Sequence, residues 1–198
     1  MRSMQKSALG RARWFEHVNA VNPPKPIRDW LTEKGSLTTR LIRQCGQFRV
    51  QPLRQRRASC LSDEYATIDL PRRLQVWERD VVLRCDENAV VYAHTVVPLR
   101  ATASDWPFFR SLGTRSLGSA LFSDPLIKRG SLQFARLSAG HPLINRIATT
   151  LGAERAQAPL YARRCLYRRK RGHLLVTEVF LPAIAGLSSQ RETVKNNQ

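Results

Sequence analysis

Acidic residues are scarce in this chain: 15 Asp and Glu stand against 33 Lys and Arg, for a net charge of +18. Such a field attracts anions, whether polyanions or small metabolites, and does not choose between them. Long hydrophobic runs are missing as well. No stretch approaches the roughly 18–20 apolar residues that a membrane-spanning helix needs; the longest, residues 89–98 and 174–182, are strand-sized. No apolar block follows the first basic residues, as a secretory signal would require. The opening MRSMQKSALGRAR is basic and acid-free, a faint transit-peptide sign that the equally basic remainder of the chain deprives of weight. Cys45, Cys60, Cys85 and Cys165 lie far apart with no C-x-x-C pair, and His17, His94, His141 and His173 are scattered too. A zinc site needs such ligands clustered, and a chain of this length needs no disulfide staples. Cys85 and Cys165 fall in apolar strand patterns as reduced core residues. No Gly-rich phosphate loop and no Ser/His/Asp set is visible. These absences describe a cytoplasmic, reduced, metal-free protein.

What remains is 198 residues, 42% of them hydrophobic, enough for one domain with a substantial core. We expect residues 1–198 to form a single domain with an ordered core over about 14–185, flanked by a flexible basic segment and a flexible polar tail. After the prolines of residues 22–26, the pattern predicts a short helix over 27–34 that Gly35 can end. Ser36 offers an N-cap for a second helix through Leu37, Leu41 and Ile42. Residues 48–53 read as a strand, and 54–75 as Arg-rich and irregular with a strand near 65–70. Residues 76–85 and 89–98 form a hairpin about Asp86-Glu87-Asn88. Residues 107–122 read as helical around Phe108, Leu112, Leu117 and Leu121, and 131–138 as a strand. Residues 160–169 and 173–181 make a second hairpin about Lys170-Arg171-Gly172. The expected class is α+β, a single antiparallel sheet with helices covering one face.

Side chains alternate across a strand, so each strand divides into two faces. Over 76–85, one face carries Trp77, Arg79, Val81, Leu83 and Cys85, apolar except for Arg79. Over 173–181, one face carries Leu174, Val176, Glu178 and Phe180, apolar except for Glu178. A buried ion must be paired, shift its pKa or meet a ligand. An arginine stays charged, and its planar fork suits a carboxylate. Three readings stay open on periodicity alone: the two residues salt-bridge each other, both face solvent, or they form a ligand site.

Several short pieces follow one another along the chain: Asp29-Trp30-Leu31, Gly35-Ser36-Leu37-Thr38, Trp77-Glu78-Arg79, Thr95-Val96-Val97-Pro98, Leu112-Gly113 with Ser116-Leu117-Gly118 and Leu121-Phe122, and finally the run from Leu174 to Pro182. In this order and spacing they resemble the chorismate pyruvate-lyases, which make 4-hydroxybenzoate for ubiquinone. The resemblance implies a buried site, no cofactor, and chorismate as substrate, converted to 4-hydroxybenzoate and pyruvate. Arg79 would grip the ring carboxylate and Glu178 would hydrogen-bond the ring hydroxyl. The backbone N–H groups of Leu37 and Leu117, on segments the family uses as flaps, would complete the carboxylate site. Other members often carry Met at the position of Leu37, a change that a backbone contact tolerates. Glu178 would either orient the C4 hydroxyl or move a proton.

Two rival classes remain. A ligand-sensing domain of the same fold would normally follow a winged-helix domain, for which residues 1–30 are too short. A nucleic-acid binder is suggested by Arg163, Arg164, Arg168, Arg169, Lys170 and Arg171 around one hairpin, with Tyr161 and Tyr167 as stacking surfaces; a solvated hairpin is the preferred reading. Contact with anionic lipid stays open, a monomer is expected, and His94 reads as a packed histidine rather than a catalyst.

Overall fold

The computed structural model describes residues 10–157 and 159–187. The expected flexibility of the extreme N-terminal segment and of the tail beyond Leu187 falls on residues outside that range. Strands β1 (Phe48–Ser59), β2 (Gln75–Cys85), β3 (Asn88–Pro98), β4 (Ile127–Leu137), β5 (Leu160–Arg169) and β6 (Gly172–Phe180) make one antiparallel sheet in the order β1-β2-β3-β6-β5-β4. Both predicted hairpins are present, β2–β3 and β5–β6, and each turns through a non-glycine residue of positive φ, Asp86 at 53° and Lys170 at 52°. The β3–β6 pairing joins the two hairpins, so the strands carrying Arg79 and Glu178 are separated by a single strand.

Helices α1 (Lys25–Leu31), α2 (Leu37–Ile42) and α3 (Leu117–Ser123) cover one face, where Trp30, Leu31, Leu37 and Leu41 pack on Val81, Leu83, Val91 and Phe180. The α+β class and single sheet are as expected, and the opposite face is covered too. Helix α4 (Pro142–Leu151) lays Leu143, Ile144, Ile147 and Leu151 on Val82, Tyr92, Ala162 and Val179. Pro142 opens this helix and the His141 side chain caps it, accepting the Leu143 N–H at 3.2 Å.

Three local expectations need correction. First, β1 continues to Ser59 rather than ending near residue 53. Its edge position tolerates arginine, and a bulge between Pro52 and Arg54 turns Arg54 and Arg56 toward carboxylates of β2. Second, residues 65–70 are a run of turns, not a strand, pinned by Glu64, whose carboxylate accepts the Leu61 N–H at 2.8 Å. Third, the helix expected over 107–122 is broken: a 3-10 turn at Phe109–Ser111 and α3 flank a loop in which Gly113 adopts φ 53°.

Candidate active site

The face beneath α2 and α3 holds a cavity with about 50 Å³ of space for the centres of water-sized molecules, several waters' worth. Its floor is the sheet itself, with small residues Ala93 and Thr95 of β3 between Arg79 and Glu178. Arg79 and Glu178 both point into this cavity from the apolar faces identified by alternation. They stand two strand spacings apart, about 10 Å, and make no ion pair with each other.

Each charge has its own arrangement. Arg79 is 2% exposed. Its Nη2 donates to the carbonyls of Gly113 at 2.9 Å and Arg115 at 3.2 Å, while its Nε is buried without a partner. Burial pulls the guanidinium pKa down, as expected of a cation held away from water. Glu178 is instead paired with its neighbour on β5: Arg163 Nε donates to Glu178 Oε2 at 2.5 Å. Arg163 also donates from Nη1 to the carbonyls of Trp30 and Leu31, both at 3.3 Å, and of Glu33 at 2.7 Å. It thereby adds a donor at the C-terminal end of α1, where carbonyls run short of helical partners. Of the three readings left open by periodicity, the mutual salt bridge and the solvated faces are both excluded.

The roof is made of two short helices that touch. Ser36 caps α2 through its side chain, accepting the Thr39 N–H at 3.3 Å. Ser116, the corresponding residue before α3, makes no such cap; its hydroxyl is hydrogen-bonded to Thr38 Oγ1 at 2.7 Å, tying one flap to the other. Gly118 permits this approach, since a Cβ there would sit 3.1 Å from Thr38 Oγ1. Leu37 and Leu117 line the cavity as the first residues of the two helices, where a backbone N–H has no intrahelical acceptor.

Among the polar lining residues that sequence reasoning missed are two cations and a phenol: Arg129, Arg163 and Tyr167. The expectation of a solvated hairpin is corrected at Arg163 and Arg164, which are 2% and 8% exposed. Arg164 donates to Gln133 Oε1 at 2.8 Å and to the Asp63 carbonyl at 2.7 Å, and its guanidinium lies 4.4 Å from the Trp14 ring centroid. Arg169 is committed to Asp124 at 2.7 Å. Of the basic hairpin, only Arg168, Lys170 and Arg171 face solvent, and Tyr167 is buried, which removes most of the stacking surface a nucleic-acid reading requires.

A second charged cluster lies behind the site, on the other face of the sheet. Asp80, fully buried, accepts from Tyr92 Oη at 2.7 Å and from Arg146 Nη1 at 3.1 Å, and pairs with Arg54 Nε at 3.1 Å. Glu78 accepts from Arg146 Nη2 at 3.0 Å and Arg56 Nε at 3.1 Å. His94 is packed, as expected, but between two carboxylates: its Nδ1 is bonded to Asp80 Oδ1, and its Nε2 lies 3.0 Å from Glu64 Oε1, off hydrogen-bond geometry. Burial alone would lower the His94 pKa, yet the two carboxylates push it up to about 10. Asp80 moves the other way: despite the opposing effect of burial, His94, Tyr92 and Arg146 hold it far below the usual carboxylate range. Among the described residues no group of His, Cys, Asp or Glu is arranged to hold a metal ion.

The described helices include none long and apolar enough to cross a membrane. The fold resembles the effector domain of PhnF from Mycobacterium smegmatis, with TM-score 0.50 at 18% identity over 75% of this chain and 89% of that one. That likeness concerns architecture alone. In sequence, the chain is 49% identical over 158 residues to a probable chorismate pyruvate-lyase of Ralstonia nicotianae, covering 79% of this chain and 81% of the relative. It is 43% identical over 184 residues to a probable chorismate pyruvate-lyase of Cupriavidus metallidurans, covering 92% and 86%. A profile of the chorismate lyase family matches residues 8–189, and the chain belongs to that family of enzymes.

Proposed function

We propose that this chain converts chorismate to 4-hydroxybenzoate and pyruvate in the cavity between Arg79 and Glu178, as a cytoplasmic, monomeric enzyme feeding ubiquinone synthesis. The observation that carries the reading is the unpartnered Nε of a buried arginine that lines the cavity, in a chain of this family. An unpaired buried donor is costly, and a ring carboxylate would satisfy it with a charge-assisted bond. The N–H groups of Leu37 and Leu117 would add donors from the flaps.

Chorismate carries a carboxylate on a cyclohexadiene ring, an enolpyruvyl ether at C3 and a hydroxyl at C4. In the reaction the C3–O bond breaks, hydrogen leaves C4, and the enolpyruvyl methylene gains hydrogen to become the methyl of pyruvate. The ring gains its third double bond. Aromaticity supplies the driving force, so the protein's task is to hold the arm over C4 and keep water out. Glu178, fixed by Arg163, would accept a hydrogen bond from the C4 hydroxyl and set the ring's rotation. The closed flaps, joined by Thr38 and Ser116, would shut out solvent during the step.

The test is to mix purified protein with chorismate in buffer containing a chelator and to follow both products. Equimolar 4-hydroxybenzoate and pyruvate, absent with Arg79→Ala, is the expected result. Saturable binding of 4-hydroxybenzoate without turnover of chorismate would replace the enzyme with a sensor built on the same cavity.

A further inference from the structure

Arg129 stands at the far side of the same cavity, on β4, four strand spacings from Arg79 and so about 19 Å away along the sheet. Strand alternation alone would turn it away from this face. Phe134 and Leu132 of β4 face the cavity side, opposite Arg163 and Cys165, which sets residue 129 on the other side by parity. The register shift between Arg129 and Leu132 inserts one extra residue, and Arg129 comes to lie opposite Tyr167 on the cavity side. Gly130 makes this bulge feasible, because a Cβ there would lie 2.9 Å from the Leu166 carbonyl oxygen.

Like Arg79, Arg129 has a buried Nε without a partner. Its Nη1 donates to the Lys34 carbonyl, just before the first flap, and its guanidinium lies 5.6 Å from the Phe122 ring centroid, on the second flap. The cavity wall thus holds three guanidinium groups and one carboxylate. Arg163 and Glu178 neutralise each other, leaving Arg79 and Arg129 as two cations without a paired carboxylate among the described residues. A monocarboxylate would answer only one of them.

We propose that Arg129 is a second carboxylate anchor, binding the enolpyruvyl carboxylate while Arg79 binds the ring carboxylate, so that the cavity selects a dicarboxylate. This deepens the reading of the cavity as a chorismate site and rests on it. After elimination the two charges part, the aromatic acid staying on Arg79 and pyruvate on Arg129.

The experiment compares Arg129→Gln, Arg129→Lys and the unaltered chain in chorismate turnover and in competitive inhibition by 4-hydroxybenzoate. Losing one charge-assisted contact should raise KM for chorismate by about 10- to 100-fold. The inhibition constant of the monocarboxylate 4-hydroxybenzoate should stay within about threefold, which also shows that the variant is folded, and Lys should recover part of the loss. A parallel rise of both constants would overturn the proposal, because Arg129 would then only hold the flaps through Lys34 and Phe122. So would an unchanged KM. Absence of turnover in the unaltered chain would overturn the chorismate reading itself, and the anchor with it; turnover indifferent to Arg129 overturns the anchor alone.

Discussion

Replacing His94 by alanine tests how the charged cluster behind the site is held together. His94 separates Glu64, 3% exposed, from Asp80, fully buried. Without the imidazole, Asp80 keeps Arg54, Arg146 and Tyr92, but Glu64 Oε1 loses its ion-pair partner, while Oε2 keeps only the Leu61 N–H. Breaking a buried pair by removing one partner costs about 3–5 kcal/mol, which for a chain of this size corresponds to a fall in Tm of roughly 6–20 °C. The effect depends on pH with a definite sign. His94 is raised from 6.5 to about 10 in the folded protein, so its contribution is fully present below pH 6.5 and is lost as pH rises through 10. Asp80 is depressed, so its contribution is present above pH 3.8 and is lost as pH falls below that value. Urea denaturation of both proteins at pH 6 and pH 10 measures this directly. The gap between them should be widest at pH 6 and should narrow by pH 10. A gap under about 1 kcal/mol at pH 6, or one that does not change with pH, would refute a charged His94.

Glu178→Gln should lower kcat for chorismate by less than about tenfold, since the amide oxygen can stay on Arg163 Nε while its NH2 donates to the C4 hydroxyl oxygen; a fall of 10² or more would assign it proton transfer. Thr38→Val removes the hydroxyl pair that joins the flaps. At about 1 kcal/mol for such a bond, release of 4-hydroxybenzoate in stopped flow should quicken about fivefold, and an unchanged rate would mean that the flaps are held by apolar contacts alone.

The hairpins and the pair Arg79 and Glu178 were legible because each charge interrupts an otherwise apolar face of a strand. The same rule says nothing of the burial on the other side of β2. Glu78, Asp80 and Arg84 alternate as a solvated face would, and nothing local announces that α4 and the turn at Glu64 cover the first two. Arg146, which binds both carboxylates, lies 66 residues from Asp80 in sequence, beyond any periodicity. Arg129 was hidden by its bulge, which reverses the parity on which face assignment depends. Arg163 was hidden by its neighbours, one of six cations around a single hairpin that differ in burial and not in residue type. Helix α4 was a different omission. His141, Pro142 and Gly152 mark its ends, and its apolar residues recur at helical spacing, so local signals were sufficient. The splitting of the expected 107–122 helix at Gly113 was signalled by a glycine whose positive φ becomes visible only in three dimensions.

The central claim is that Arg79 Nε awaits a ring carboxylate, and a crystal structure of the complex with 4-hydroxybenzoate tests it most directly. The account predicts the carboxylate within hydrogen-bonding distance of Arg79 and of the backbone N–H groups of Leu37 and Leu117, with the phenol hydroxyl on Glu178. A ligand bound elsewhere, or seated in the cavity with Arg79 Nε still unpaired, would contradict it.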